Sequence, residues 1–345
     1  MKLLGLNIEI LKRDEPPITP LQTIFLGGGT PSLLSARQLE SIFEQLEKTF
    51  GFAENIEISL EANPGTLSLK KLQDFRHAGA NRLSLGIQSM NDQNLQLLGR
   101  IHTATQARQT VNAAQDAGFD NLNLDLIFAL PDQSPLALLQ EITALLELSP
   151  EHISLYGLSF EPGTTFFSRL KAGELSPCPE EIYAEQYLML HEQLCGAGFE
   201  HYEISNFSVP GKNCRHNQGY WQRENCLAIG VGAHSFYNRN WGERWHIPAN
   251  LQSYKNSLQQ GKNPAKLLER FDQAGAMREA VYLALRTSDG INLKEFEQRY
   301  QLPFQQVFAG ELSKIEENFT TSASKQYRFN VKGWLLYDHL ISYFL

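Results

Sequence analysis

The sequence predicts an α/β protein in which a parallel sheet forms a partial (β/α) barrel, followed by a small, mostly helical domain of winged-helix type. Between residues 23 and 159, short β-rich runs alternate with helical patterns, which is typical of parallel strands joined by crossover helices. The β-rich runs are nearly continuous in apolar residues, as expected for strands covered on both faces. After about residue 250 the pattern becomes mainly helical.

The predicted elements of the barrel follow each other in a regular order. An amphipathic segment with Leu4, Ile8 and Leu11 on one face predicts a helix before the first strand. Because only five strands follow this helix, we expect the barrel to lack its first strand. The predicted strands are TIFLGG, IEISLEAN, RLSLGIQ, NLDLIF and ISLYGLS, and the helices between them cover residues 36–49, 69–78, 104–117 and 136–146.

The second half of the chain predicts a different organisation. Residues 177–198 have a helical pattern, whereas the aromatic- and glycine-rich residues 211–237 indicate loops and short strands. We predict two domains, a barrel over residues 1–240 and a winged-helix-like domain over residues 250–345, whose composition favours a lid or docking role over DNA reading. The second domain contains predicted helices over residues 274–286, 293–300, 304–315 and 334–344 and a strand at YRFNV.

Composition excludes several classes of protein. The 345 residues include 30 Lys and Arg against 38 Asp and Glu, a formal charge of −8, so electrostatic binding to nucleic acid is not expected. No run of eighteen apolar residues occurs, and Asn7 and Glu9 interrupt the apolar opening, so we predict neither a membrane span nor a signal peptide. The expected location is the cytoplasm.

Polar residues occur repeatedly where the predicted strands end. In a parallel barrel these ends open onto one face, and groups from different strands meet there. The glycines of GGGTP allow backbone amides to approach a charged ligand closely. Asp125 lies within an apolar strand, where a carboxylate needs a partner or a ligand. The candidate ligand-binding residues are Gly28, Gly29, Thr30, Glu61, Gln88, Arg100 and Asp125.

Each of these residues also has a purely structural interpretation. The GGGTP run is compatible with a tight turn between a strand and a helix, and Glu61 with a cap on the following helix. Asp125 and Arg100 are compatible with a structural ion pair. Polar residues from five strand ends converge on one rim. This convergence favours the ligand-binding interpretation more strongly than any single residue does.

A second group of candidates lies in CRHNQGYW, residues 214–221. Cys214, His216, Cys226 and His234 have spacings that match no common zinc site, so structural zinc is disfavoured. A histidine beside large aromatic residues suits a flat macrocycle, because imidazole ligates iron and aromatic faces stack on the ring. Ordinary packing of the histidine and the aromatic side chains is the alternative.

Cysteine usage limits the possible redox chemistry. The four cysteines, Cys178, Cys195, Cys214 and Cys226, are too few and too widely spaced for a disulfide framework, so reduced thiols are expected. No two of them lie within ten residues of each other. The sequence therefore offers no loop of three thiolates of the kind that holds a [4Fe-4S] cluster.

A series of motifs, taken in chain order, resembles a known family. The motifs are IFLGGGTPSLLS, EISLEANPGTL, RLSLGIQS, LGRIHTATQA, NLDLIFALP, SLYGLSFEPGT, YEISNF and CRHNQGYW with IGVGAHS. The family is that of radical S-adenosylmethionine (SAM) proteins related to oxygen-independent coproporphyrinogen III oxidase, and the similarity is greatest to its heme-chaperone branch. The resemblance covers residues 21–237 and continues more weakly through the C-terminal domain.

The resemblance implies a partial TIM-like radical SAM barrel that binds SAM beside a [4Fe-4S] cluster. It implies that Gly28, Gly29 and Thr30 meet the methionine end of SAM, and that its other polar groups are contacted by Glu61, Gln88, Arg100 and Asp125. The H-N-x-x-Y-W signature of the chaperone branch implies a heme site with His216 as a candidate iron ligand, formed by His216, Asn217, Tyr220 and Trp221. Its implied partner is a protein that accepts heme, with respiratory proteins as one class.

One family feature does not occur in this sequence. The C-x-x-x-C-x-x-C loop that holds the cluster in the family is not found, so the resemblance assigns no cluster ligands here. We therefore expect a truncated chain or a misplaced start, and a chaperone without catalysis of its own. Two alternatives remain open at this stage: an oxygen-independent coproporphyrinogen III oxidase, which needs the cluster, and an inactive truncated remnant.

Overall fold

The computed structural model describes residues 2–14, 20–323 and 325–345. The chain divides into two compact units. The first unit consists of Met1–Phe25, Leu34–Ile58 and Cys214–Leu345, and the second unit consists of Leu26–Leu33 and Ser59–Asn213. The predicted domain boundary between residues 240 and 250 is not tested by this division and stays a prediction.

The main sheet has seven strands, of which the first five were expected from the sequence. They are β1 (Leu21–Leu26), β2 (Phe52–Ala62), β3 (Arg82–Gln88), β4 (Leu122–Phe128), β5 (His152–Gly157), β6 (Glu200–Glu203) and β7 (Asn206–Ser208). Their order in the sheet is β1-β2-β3-β4-β5-β7-β6. Strands β2 to β5 pair in parallel, whereas β7 pairs antiparallel with both β5 and β6.

Helices precede and connect these strands, and side-chain caps define several of their starts. Hydroxyl groups of Ser35, Ser68, Thr103 and Ser134 accept backbone N–H groups in the first turn of four crossover helices. Each such cap contributes about 1 kcal/mol to stability. The helices are α1 (Lys2–Asp14), α2 (Ala36–Phe50), α3 (Leu69–Ala78), α4 (Asp92–Leu97), α5 (Ala104–Asp116), α6 (Pro135–Leu146), α7 (Thr165–Lys171) and α8 (Glu180–Gly196).

The remaining elements belong to the first unit. Strands β8 (His234–Tyr237), β9 (Glu243–His246) and β10 (Lys266–Arg270) form an antiparallel sheet, and so do β11 (Ile291–Asn292), β12 (Thr320–Ala323) and β13 (Gln326–Phe329). The helices are α9 (Arg215–Trp221), α10 (Leu251–Gln259), α11 (Gln273–Ala284), α12 (Leu293–Tyr300), α13 (Phe304–Val307), α14 (Ala309–Leu312), α15 (Val331–Leu335) and α16 (Tyr337–Ile341).

Helix α1 is buried on two sides within the first unit. Ile8 and Leu11 pack against Leu46 and Phe50 of α2. On its other side Ile10 packs in a second cluster that includes Ile247, Tyr254 and Leu258. Between these faces the side-chain oxygen of Asn7 accepts the Tyr254 hydroxyl at 3.0 Å and the Gly230 N–H at 3.3 Å. The predicted N-terminal helix is therefore an integral part of the first unit.

In the second unit, each central strand has one apolar and one polar side. Leu83 and Leu85 of β3 and Leu122 and Leu124 of β4 are fully buried, while the residues between them are polar or small. Because neighbouring residues of a strand point to opposite faces, Ser84 and Gly86 share a face, as do Asn123 and Asp125. This alternation places the polar groups of several strands on one side of the sheet.

The structure confirms the predicted fold class and most predicted elements, with three corrections. The segment predicted as loops and short strands over residues 211–237 contains α9 as well as β8. The predicted helices over residues 304–315 and 334–344 are each interrupted, at Phe308 and at Leu336. Both residues leave the helical conformation, with φ and ψ near −109° and 25° at Phe308 and −104° and 21° at Leu336.

Candidate functional site

Polar residues that follow β1 or lie in or just after β2, β3 and β4 line one pocket in the second unit. The loops after parallel strands open on the same side, so residues distant in sequence meet there. The pocket is open to solvent and has a volume of about 630 Å³, which includes the open space at its mouth. Its lining includes six of the predicted residues, Gly29, Thr30, Glu61, Gln88, Arg100 and Asp125, together with Pro31, Ala62, Asn63, Ser84 and Gly86.

The glycine turn after β1 is connected to Glu61. The Gly28 N–H donates to Oε2 of Glu61 over 3.2 Å. Gly28 and Gly29 have φ values of 78° and 61°, in the left-handed region that favours glycine. Helix α3 is capped by Ser68, so Glu61 braces the glycine turn rather than capping that helix. The exposed glycine turn thus lies beside a carboxylate at the pocket wall.

Asp125 is held on the pocket side of β4 by hydrogen bonds. Asn123 donates to Oδ1 over 2.7 Å and the Ser84 hydroxyl donates to Oδ2 over 3.3 Å. Burial raises the pKa of Asp125 to about 6, and the negative charge of Glu61 contributes to this shift, whereas the hydrogen bonds oppose it. The carboxyl group therefore changes its charge close to neutral pH.

Arg100 lines the same pocket without pairing directly with Asp125. Burial lowers the pKa of Arg100, and the charge of Asp125 opposes that effect from a distance. Among the described residues no ion pair joins the two side chains. The structural ion pair considered from the sequence is therefore absent from this part of the chain, and both charged groups face the pocket.

Gln88 reaches the pocket from an unusual backbone conformation. Its φ of 71° is rare for a residue with a side chain. The next two residues are fixed by buried Glu141 of α6, whose Oε2 accepts the Ser89 hydroxyl and, over 2.8 Å, the Met90 N–H. The other oxygen of Glu141 accepts side-chain amides at 2.7 and 3.0 Å, from Asn94 and Gln133.

Sequence reasoning did not find Glu141. It lies on the buried face of α6 with Leu138, Ile142 and Leu145. A carboxylate at helical spacing among apolar residues is costly to bury without several donors, and that pattern is visible in the sequence. This pattern could therefore have identified Glu141 as a buried acceptor. It could not have shown which loop Glu141 holds.

The H-N-x-x-Y-W residues form a separate site in the first unit, on α9. Nδ1 of His216 lies 2.9 Å from the Thr23 hydroxyl. The imidazole stacks on Phe25 with ring centres 5.1 Å apart, and meets the Tyr220 ring edge-on at 5.0 Å. Burial lowers the pKa of His216, opposed by the charge of Glu57. The imidazole is thus oriented on several sides and favoured in its neutral form.

Glu57 of β2 holds the start of α9. Its carboxylate accepts the backbone N–H groups of Arg215 and His216, each over 3.1 Å. A carboxylate at the first turn of a helix satisfies donors that have no partner within the helix and interacts favourably with the helix dipole. This acid was not identified from the sequence, because nothing near residue 57 indicates that it contacts residues 215 and 216.

The other signature residues also lie on α9. Asn217 is half-buried. The guanidinium of Arg286 lies 4.7 Å from the ring centre of Trp221. The Trp221 Nε1 is buried and has no hydrogen-bond partner among the described residues. Tyr220 is 42% exposed, and its hydroxyl accepts the Cys226 thiol at 3.4 Å. The structure therefore places all four signature residues on one short helix.

The cysteines do not combine into a metal site. All four are thiols, and Cys214 lies near Glu57 while Cys226 contacts Tyr220. Residues 2–14, 20–323 and 325–345 contain no group of three or more His, Cys, Asp or Glu side chains that could hold a metal ion. Neither a zinc site nor a cluster site can be built from the described side chains as they stand.

Comparison with known proteins defines the class of this chain. Residues 8–142 match the radical SAM superfamily model, and residues 271–335 match the model of the HemN C-terminal domain. The structure is similar to that of coproporphyrinogen III oxidase (HemN) from Escherichia coli, a radical SAM enzyme, with a TM-score of 0.82 and 22% identity over 99% of this chain and 82% of that one. The fold is a radical SAM-type partial (β/α) barrel with a HemN-type C-terminal domain.

The curated relatives identify a narrower family. Heme chaperone HemW of Lactococcus lactis is 32% identical over 95% of this chain and 86% of its own length. Heme chaperone HemW of Haemophilus influenzae is 35% identical over 94% of this chain and 83% of its own length. The chain belongs to the HemW family of heme chaperones.

In the part of the chain that the structure describes, no helix combines the length and the apolar character that crossing a bilayer requires.

Proposed function

We propose that this chain binds heme and delivers it to an acceptor protein. The relatives that share its family are named heme chaperones. The single observation that supports heme binding by this chain is the setting of His216, whose ring is oriented by Thr23, Phe25 and Tyr220. The acceptor is a protein of any class that can ligate heme iron.

His216 is the proposed iron ligand. When Nδ1 donates its proton to the Thr23 hydroxyl, Nε2 carries the lone pair that can ligate iron. A hydrogen bond to the other ring nitrogen is the usual way in which proteins fix the tautomer and orientation of a metal-bound histidine. The lowered pKa of His216 helps, because only the neutral imidazole is a ligand.

The rest of the signature fits a flat, mostly apolar ligand with polar edges. Spacing of four residues places His216 and Tyr220 on one face of α9, and Asn217 and Trp221 on the next. Tyr220 offers an exposed aromatic ring for stacking on a porphyrin. The buried Nε1 of Trp221 is a donor in need of an acceptor, which a ligand with carboxylate groups would supply.

We further propose that the pocket of the second unit binds SAM. The residues fit its chemistry: the glycine turn and Thr30 would hold the methionine end, while Glu61, Gln88, Arg100 and Asp125 would contact its other polar groups. Beside a reduced [4Fe-4S] cluster, SAM supplies a carbon-centred radical. The described residues contain no group of three thiolates that could hold such a cluster.

Heme titration of the purified chain tests the main proposal. We expect a saturable shift of the Soret band for the natural chain and loss of that spectral component in His216→Ala. His77→Ala is a matched control, because His77 is an exposed histidine whose Nδ1 contacts the Gln73 carbonyl of its own helix. A natural chain without a Soret shift would exclude heme binding. A shift unchanged in His216→Ala would exclude His216 as the ligand.

Delivery needs a separate measurement. The heme-loaded chain is mixed with an apo-protein that has an empty heme site and a distinct spectrum, and the transfer rate is compared with that of heme dissociating into solution. Transfer faster than spontaneous dissociation supports a chaperone. Transfer at the dissociation rate would show that the chain binds heme without delivering it. The oxidase alternative is less well supported, because 22% identity to HemN establishes the fold alone.

A further inference from the structure

Three polar residues lie side by side on the pocket side of the sheet, beyond the pocket itself. Ser59 of β2 and Arg82 of β3 are register partners. The carbonyl of Asn121 accepts the Leu83 N–H over 3.1 Å, which places Asn121 next to Arg82. We call Ser59, Arg82 and Asn121 the Arg82 row. Alternation along β3 puts Arg82 on the same face as two pocket residues, Ser84 and Gly86.

Four polar side-chain atoms of this row lack a hydrogen-bond partner in the part of the chain that the structure describes. Arg82 is 3% exposed and Ser59 is 1% exposed. Among the described residues, no hydrogen-bond partner exists for Nε and Nη1 of Arg82, for Oγ of Ser59 or for Oδ1 of Asn121. Native proteins pair the large majority of such buried groups, and a guanidinium cannot lose its proton to escape the cost. Unpartnered polar groups in adjacent positions indicate a ligand that they share.

The charges around the row favour a negative ligand. His152, in the next row on β5, is kept neutral because burial and the charge of Arg82 both lower its pKa. The acids of the pocket are engaged elsewhere, Glu61 with the Gly28 N–H and Asp125 with Asn123 and Ser84. The positive charge of Arg82 therefore has no direct counter-ion among these neighbours.

A layer of hydrogen bonds separates the row from the pocket. The Asn123 amide donates to the Ser84 hydroxyl over 2.8 Å and to Asp125 over 2.7 Å, and its oxygen accepts from His152 and Ser154. The groups of this layer are paired with each other, so they do not offer the missing partners to Arg82. A ligand of the Arg82 row is accordingly distinct from a ligand of the pocket.

We propose that the Arg82 row binds a small monovalent anion of the size of chloride within the second unit. Nε and Nη1 of Arg82 and the hydroxyl of Ser59 supply N–H and O–H donors to it. The carboxamide of Asn121 adds a further donor when it rotates by 180°, which exchanges its oxygen and nitrogen. The anion neutralises the buried guanidinium and ties β2, β3 and the start of β4 together beneath the pocket.

Thermal unfolding of the full chain tests this site. Bromide replaces gluconate at constant ionic strength, and no heme or SAM is added, so the outcome does not depend on the proposed function. Because the anion binds the folded form, the folding equilibrium constant rises with bromide and reaches about elevenfold at a bromide concentration ten times its Kd. A melting temperature independent of bromide in the natural chain would overturn the proposal.

Variants locate the effect. Arg82→Gln should abolish the bromide dependence of the melting temperature, and Ser59→Ala should weaken it several-fold. If Arg82→Gln does not fold, Ser59→Ala alone tests the site. Arg76→Gln is the control, because half-buried Arg76 donates to the Gly118 carbonyl away from the row, and it should keep the dependence. Crystals soaked in bromide should show anomalous scattering beside Arg82. Equal bromide dependence in all three variants, or scattering at other positions only, would mean adventitious surface binding and refute the site.

Discussion

Nδ1 of His216 lies 2.9 Å from the hydroxyl of Thr23, a residue 193 positions earlier in the chain. The signature motif supplies the histidine, but a residue of a strand far away in sequence contacts one of its two ring nitrogens. The amides at the start of α9 are held in turn by Glu57. The heme site proposed here therefore depends on residues outside the motif, and this dependence leads to the first two predictions.

Removing the hydroxyl of Thr23 should weaken heme binding. In Thr23→Val the shape of the side chain is preserved while the partner of Nδ1 is lost, and loss of such an outer hydrogen bond typically weakens metal binding by about tenfold or more. Thr23→Ser retains the hydroxyl and should restore most of the affinity. The measurement is the heme Kd from Soret titration. An unchanged Kd in Thr23→Val would show that Thr23 does not position His216.

Glu57→Ala should destabilise the first unit and weaken heme binding together. The substitution leaves the Arg215 and His216 amides without their acceptor, which costs about 1–3 kcal/mol. Urea unfolding measures the loss of stability, and Soret titration measures the affinity. Glu54→Ala is the control, since Glu54 is exposed on the same strand and its loss should change neither quantity appreciably. Equal stability of the two variants would contradict the role assigned to Glu57.

Asp125→Asn should alter how stability depends on pH. The folded pKa of about 6 lies above the ordinary value of 3.8, so the ionised carboxylate costs stability in the folded state. That cost is absent below about pH 3.8, grows as the pH rises, and is complete above about pH 6. The free energy of unfolding of the natural chain, relative to Asp125→Asn, should thus fall by about 3 kcal/mol across this window.

Urea unfolding at pH 4.0 and pH 8.0 checks this difference. The variant should also bind S-adenosylhomocysteine, a stable analogue of SAM, more weakly if Asp125 contacts the ligand. Asp116→Asn, an exposed site at the end of α5, is the control and should not reproduce the pH dependence. A difference between Asp125→Asn and the natural chain that stays constant with pH would contradict the raised pKa.

Glu141→Gln should loosen the loop that follows Gln88. A neutral amide cannot accept all the donors that converge on the carboxylate, and leaving buried donors unpaired costs about 2–4 kcal/mol. We expect a lower urea midpoint and weaker binding of S-adenosylhomocysteine through displacement of Gln88. Glu147→Gln removes only an exposed pair with Arg108 and should cost less than about 1 kcal/mol. If both variants unfold at the same midpoint, Glu141 does not hold the loop.

Local sequence patterns determined much of the fold. The predicted bounds of β3, α3 and α12 agree with the structure residue for residue, because periodicity of apolar residues directly records which side of an element is buried. The same patterns predicted that Thr30, Glu61, Gln88 and Asp125 would meet, since strand ends in a parallel sheet share one side. The motif at residues 214–221 likewise identified the candidate heme residues.

Tertiary structure alone decided the rest. Three pairings join residues 51 to 193 positions apart: Thr23 with His216, Glu57 with the start of α9, and Glu141 with the loop after β3. No local pattern records them. Helix α9 forms in a segment with weak helical character because a distant carboxylate satisfies its first amides. A sequence pattern reports whether a residue is buried, whereas the partner it meets there depends on how distant segments pack.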